Sequence, residues 1–474
     1  MERKRNKREE VRFIRNWWSL NYNHTFLRFD VFIVREMGYS FHTKRDLDRV
    51  RRPAFLEFRK RTGHYPFASL PTMRRWFGIG SFSSPNREQV YEICLQLGTG
   101  AEKAEEYLAV ALEEVSFQIR DYREVFFMYG LNHKMGYQEC FNLAEQFESN
   151  WDFESLSEEK MSDQEFEEIF QKTKQLPVDK FLSWMLSCQN FFVGYRESVI
   201  KTLQECRSKV MFYIRKDAKD KLDSLLAETN YKKWLEERQY KKLETREIIR
   251  RFVKAHRKGH YKEVSQNMKD NILELSSIAY SPLEANSKLL AEVFSHTGRT
   301  FFSHIKGMSA KHLSDLFNVS LQRERSQTMK HVYRKLQDMD EQSDCPDWVK
   351  EIVGQCTRNL QKFDNVGAVK NWIESYNHEQ KRRCLDVKRS DILPMIHYIA
   401  QRQYLDIMES KGEEYNEKKA KCTFTTLADR MLKSCHMSSI NEDYELDAVL
   451  LSCFQPDEMY SFAEILDFAK EENE

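Results

Sequence analysis

At 474 residues the chain exceeds the roughly 250–300 residues at which a single hydrophobic core stops growing, so two to four domains are expected. It is 41% hydrophobic and 31% charged, with only 15 glycines and 9 prolines; this composition favours long helices and disfavours all-β and doubly wound α/β folds. The net charge of +1 hides a segregation: residues 1–76 carry 19 Lys and Arg against 8 Asp and Glu, a surplus of 11, whereas 145–168 carry ten acids and one lysine. The first segment points to a polyanionic partner and the second to a solvated face.

The basic start, Met1 to Arg15, leads into charged and aromatic sequence without the apolar stretch of a signal peptide. No apolar run approaches the roughly 18 residues of a membrane span, and a cytoplasmic location is expected. None of the ten cysteines sits in a CxxC pair, and Cys435 and His436 lack a spaced partner pair for zinc. The cysteines read as reduced core thiols, with no metal and no cofactor.

In chain order, residues 3–21 read as a basic helix with an aromatic side of Phe13, Trp17 and Trp18. The following RFDVFIVREMGY fits either a short strand or a buried helix. From Ser69 to Asn150 short helices are expected, jointed at Gly78, Gly80, Pro85, Gly98, Gly100, Gly130 and Gly136. A boundary is placed in the acidic stretch at 150–175. Beyond it Val199, Leu203, Cys206, Val210 and Ile214 recur at helical spacing and define a core stripe. Basic character returns at 231–262, where Glu alternates with Lys and Arg as on an exposed helix face. The acidic, proline-containing 338–348 interrupts the helices. After it Ile392, Ile396, Ile399 and Ile407 are expected on one face, followed by a hairpin of Phe424–Cys435 and Leu446–Phe454. No fixed-period repeat is present. The expected organisation is a basic arm (1–45), a helix-turn-helix-like domain (46–150), a helical body (151–340) and a C-terminal helical module (341–474), all-α throughout.

The most informative stretch is SLPTMRRWFGIGSFSSPNREQVYEICLQLGTGAEKAEEYL, residues 69–108. It resembles the Cro/repressor (XRE)-type helix-turn-helix family from the recognition helix onward. In that family the recognition helix ends in an isoleucine, two polar or basic residues and a tryptophan; a glycine turn, a proline and an amphipathic helix closing on Leu-Gly follow. Here Met73, Arg74, Arg75 and Trp76 occupy the first set of positions. Gly78 or Gly80 makes the turn, Pro85 opens the next helix, and Val90, Ile93, Cys94 and Leu97 run to Gly98. The residue types suit the geometry independently: Pro71 and Pro85 fit first helical turns, and Gly98 fits a left-handed helix cap. Met73 and Trp76, three apart, can pack on a core while Thr72, Arg74 and Arg75 point elsewhere.

The resemblance implies binding to double-stranded DNA, with Thr72, Arg74 and Arg75 at base edges. Arg59, Lys60 and Arg61 on the preceding helix are expected at phosphates. The chain departs from the family pattern in RPAFLEFRKRTGHYPFASLP, whose Gly-His-Tyr-Pro connection is longer than the usual turn. A second, partial likeness falls at Met308–Leu336, where Ala310, Leu313, Leu316, Phe317 and Val319 resemble the start of another such motif with Asn318 at the turn; an ordinary helical pair is the alternative. The C-terminal segment is similar to the end module of uncharacterised helical proteins of Gram-positive bacteria.

Chemistry is not signalled. Gly78 and Gly80 form a GxG without a following lysine-serine, and HExxH and GxSxG are absent. His256, His260, His304 and His312 lie on basic or polar faces, as solvated side chains do. The expected protein is therefore not an enzyme. It is an all-α DNA-binding transcriptional regulator whose helical body engages a second copy or another protein; the alternatives are a helical scaffold without nucleic acid binding and an enzyme of unrecognised type.

Overall fold

The computed structural model describes residues 25–151, 161–192, 195–237, 243–257, 264–280, 293, 322–356, 363–383 and 387–465. The helix expected at 3–21, the turn at Asn318 and the side chains of the four singled-out histidines lie outside them. The fold is all-α: among the described residues extended pairing is limited to two isolated bridges, Asp344–Asn365 and Phe454–Met459. Two compact units form, each from separate stretches of sequence. Unit one takes 1–202, 319–391 and 428–448; unit two takes 203–318, 392–427 and 449–474.

Unit one begins with α1 (Phe29–Glu36), which resolves the ambiguous apolar segment as a helix with Phe29, Val31, Ile33 and Val34 all buried. Helix α2 (Lys44–Arg61) starts at Thr43, whose hydroxyl accepts the Asp46 N–H at 3.2 Å. Helix α3 (Leu70–Trp76) follows, then α4 (Arg87–Leu97), which opens with a reciprocal capping box between Asn86 and Gln89 and closes on Gly98 at φ 66°. Pro85 thus precedes the N-cap instead of entering the first turn, because Asn86 supplies the capping oxygen. Helix α5 (Ala101–Glu106) runs on into a π turn at Tyr107–Ala111. Helices α6 (Tyr122–His133) and α7 (Tyr137–Ser149) pack closely; a Cβ at Gly130 would collide with the Cys140 sulfur. On α7 the buried Cys140, Leu143, Ala144 and Phe147 follow the i, i+3, i+4, i+7 pattern of an amphipathic helix. Helices α8 (Asp163–Thr173) and α9 (Val178–Ser187) add Phe166, Phe170, Phe181 and Met185 to the same core.

The long α10 (Glu197–Ala227) buries Val199, Leu203, Cys206, Val210 and Ile214, the stripe expected from their spacing. In unit two α11 (Tyr231–Glu236), α12 (Thr245–Arg257) and α13 (Gln266–Tyr280) gather around Trp234, Ile249, Phe252 and Ile272. In unit one α14 (Gln322–Leu336), α15 (Asp347–Cys356) and α16 (Val366–Arg383) share a core of Val332, Leu336, Val349, Val369 and Ile373. The break expected at 338–348 falls between α14 and α15.

Helices α17 (Arg389–Lys411), α18 (Glu417–Ser434) and α19 (Glu445–Ser452) follow. On α17 Ile392, Ile396 and Ile399 are buried, but Ile407 is 42% exposed, against expectation. Eight helical residues beyond Ile399 it has rotated about 80° off the stripe. Of the eight cysteines whose side chains are described, all are free thiols and seven are buried; Cys422 alone among them is exposed.

Candidate nucleic-acid interface

Helices α2 and α3 are joined through aromatic rings. Phe77, just past α3, packs against Phe55 and Phe58 of α2 at 5.4 and 5.3 Å between ring centroids, and Phe58 also meets Phe67 at 5.4 Å. Burying Phe55 and Phe58 turns the opposite side of α2 outward, and with it Arg45, Arg52, Leu56 and Lys60. Arg45, Arg52 and Arg59 are seven apart and fall on one stripe, since two helical turns nearly close on seven residues. Arg45 and Arg52 were not singled out from the sequence. The seven-residue spacing was the signal available for them.

On α3 the side chains divide as their spacing implies. Met73 and Trp76 are buried, Arg74 and Arg75 are exposed, and Thr72 is half-buried. Ser69 caps the helix, its hydroxyl 2.8 Å from that of Thr72. Arg75 donates to the same Thr72 oxygen at 3.1 Å, which holds its guanidinium along the helix. Thr72 is therefore engaged in the cap, whereas Arg74 has no carboxylate partner among the described residues.

The end of α3 is locked from below. Arg51 of α2 donates to the Phe77 carbonyl at 2.7 Å and pairs with the buried Asp30 of α1, which Arg28 also holds at 2.8 Å. Burial alone would raise the Asp30 carboxyl, but the two guanidiniums outweigh it and keep it below the usual carboxylate range. Gly78 follows at φ 66°, and a Cβ there would fall on the Arg51 guanidinium. Glycine is required at 78 by both the backbone and the neighbour.

The expected phosphate-binding trio divides as well. Arg59 is half-buried and pairs with no carboxylate among the described residues, whereas exposed Lys60 acts through its charge on Glu57, one turn before it. Arg61 instead bonds Glu57 at 2.8 Å and reaches the carbonyls of Glu36 and Met37 at 3.4 Å, where it caps the C-terminal end of α1. Between the two helices run eight residues, Thr62–Ser69, with Gly63 at φ 58° and His64 at φ 62°. That joint is longer than the three to four residues of a tight helix-turn-helix.

Elsewhere in unit one several charged groups are buried and paired, Arg389, Asp447 and Glu124 among them. Arg389, fully buried, forms a two-pronged bond to Asp447 at 2.6 Å on each prong, contacts Glu113 at 3.3 Å and donates to the carbonyl of Ser438 at 3.0 Å. Glu113 sits at φ 53°, an uncommon left-handed position that delivers its carboxylate to a guanidinium already used by Asp447. Burial, with Asp447 and Glu445 adding to it, pushes the Glu113 carboxyl up to about 7 against the pull of Arg389. Arg87 of α4 bonds Glu124 at 2.7 and 2.9 Å, and the Tyr91 hydroxyl donates to the same carboxylate at 3.0 Å. In each cluster the carboxylates and guanidiniums are bonded to one another.

In unit two His397 lies edge-on to Phe424 and Phe454, and burial drives it down to about 3, so it is a neutral core side chain at physiological pH. Among the described residues no three His, Cys, Asp or Glu side chains converge to hold a metal ion, and no helix is long and apolar enough to cross a membrane. The chain matches no family model, no curated protein and no solved structure.

Proposed function

We propose that the protein binds double-stranded DNA through the outward faces of α2 and α3 and acts as a transcriptional regulator, its helical body engaging a second copy or another protein. The observation that carries this reading is the set of cations left without acids: Arg52, Arg59 and Arg74 lack a carboxylate partner among the described residues, with exposed Lys60 beside them, while Phe55, Phe58, Met73 and Trp76 of the same helices are packed inward. A surface of uncompensated cations on a rigid pair of helices attracts phosphate, and each phosphate neutralised releases counterions. Arg52, Arg59 and Lys60 serve as phosphate contacts. Arg74 is the side chain free to reach a guanine edge, with Arg75 braced against Thr72 beside it.

Binding of the purified chain to duplex DNA across a salt series tests the reading. Affinity should fall steeply with salt, with a log–log slope of about −0.9 per phosphate contact. Arg74→Ala with Arg75→Ala should weaken binding and blur discrimination between sequences. An absence of binding even at low salt overturns the proposal and leaves a helical interaction scaffold in its place.

A further inference from the structure

The basic character that returns at 231–262 is resolved by α12 into two faces. Thr245–Arg257 contains five Lys and Arg and one Glu, a surplus of 4 over 13 residues. Ile249, Phe252 and Val253 are buried, with Phe252 packed at 5.1 Å on Tyr231 and 5.4 Å on Trp234 of α11. On another side Arg246, Arg250 and Lys254 succeed one another at steps of four, forming a row about 12 Å long with charges roughly 6 Å apart. Arg250 and Lys254 are exposed and Arg246 half-buried, and none of the three pairs with a carboxylate among the described residues. Arg251, next to the row, is held by Glu247 at 3.1 Å.

We propose that this row is a second DNA contact, one that grips the phosphate backbone without reading bases. The inference takes its ligand from the DNA-binding reading but does not depend on α2 or α3. A row of like charges along one helix face complements a ladder of phosphates, the contact that sets affinity and register. A membrane surface is the poorer fit, because an interfacial helix needs a free apolar face and α12 has packed its own against α11. The basic composition thus acts through charge alone.

The test uses the full chain and duplexes of about 30 base pairs of unrelated sequence, with affinity followed from about 50 to 300 mM salt. Arg250→Ala with Lys254→Ala should weaken binding to every duplex alike and make the salt slope shallower by about 1.8, or 0.9 per lost contact. Arg250→Lys with Lys254→Arg preserves charge and should keep the wild-type slope. Because both side chains are exposed, the fold should be retained, which circular dichroism checks.

An unchanged slope in the alanine pair overturns the inference, as does a loss confined to anionic phosphatidylserine vesicles with DNA binding intact. Normal binding by the Arg74→Ala, Arg75→Ala protein together with loss in the α12 protein would overturn the α2–α3 reading and leave this one in place. No duplex binding by wild type at the lowest salt removes both.

Discussion

Arg389 and Arg74 mark the two ways this molecule uses a guanidinium. Arg389 is enclosed by Asp447, 58 residues along the chain, and by Glu113, 276 residues away, with backbone carbonyls taking its remaining N–H groups. Arg74 stands in solvent with no carboxylate partner among the described residues. The fold brings distant carboxylates to the first and, among the described residues, none to the second. A surplus of basic residues in a sequence is therefore a poor guide to a binding face until the structurally committed members are removed. In residues 1–76 these include Arg28 and Arg51, which hold Asp30, and Arg61, which caps α1.

The contrast is broken most severely by Arg389→Ala. Asp447 and Glu113 would be left without their shared cation, and uncompensated buried charge of this kind costs about 3–5 kcal/mol. Chemical denaturation should show that loss, whereas Arg389→Lys, keeping the charge but not the fork, should recover part of it. Next in size is Gly78→Ala. The new Cβ must displace the Arg51 guanidinium and accept a left-handed backbone, at a cost of about 2 kcal/mol. Displacing Arg51 also frees the Phe77 carbonyl, so DNA affinity should drop along with stability.

A smaller effect follows from the raised carboxyl of Glu113. Between its unfolded value, 4.5, and its folded value of about 7, the native chain holds a proton that the unfolded chain has released. Stability therefore falls as pH rises through that window, by roughly 1–2 kcal/mol, given that 28% of the side chain remains exposed and screened. Glu445, raised to about 7 mainly by burial, acts in the same direction despite Arg28 and Lys44. Glu113→Gln should flatten the profile and stabilise the protein at pH 8. A profile unchanged by that substitution would show that Glu113 does not titrate in this window.

What was legible in the sequence was local. Met73 and Trp76 announced their burial by a spacing of three, Gly98 its left-handed cap, and the α10 stripe its place in the core, because each depends on residues within a turn or two. The ambiguous 28–39 segment was decided by tertiary packing: with Phe29, Asp30, Val31, Ile33 and Val34 all inside, burial covers more than one helical stripe and the apolar pattern fits strand and helix alike. Likewise the engagement of Arg61 with α1 and of Arg51 with Asp30 depends on pairings more than 20 residues apart, which periodicity does not encode. The face carrying Arg52, Arg59, Lys60 and Arg74 was half visible: the residue types were in the sequence, and the lack of a carboxylate partner for Arg52, Arg59 and Arg74 among the described residues emerged only from the fold.

Arg74→Ala with Arg75→Ala should have the smallest effect on stability and a large one on binding. Neither side chain is paired with a carboxylate among the described residues, Arg75 contributes an exposed bond to Thr72, and surface changes of this kind stay within about 0.5 kcal/mol. A double variant as stable as wild type but weak on DNA separates the binding face from the folding frame. A loss comparable to that of Arg389→Ala would instead place Arg74 and Arg75 in the frame, because only groups whose partners are buried with them carry that cost. Thermal unfolding and duplex affinity measured on one preparation decide between the two.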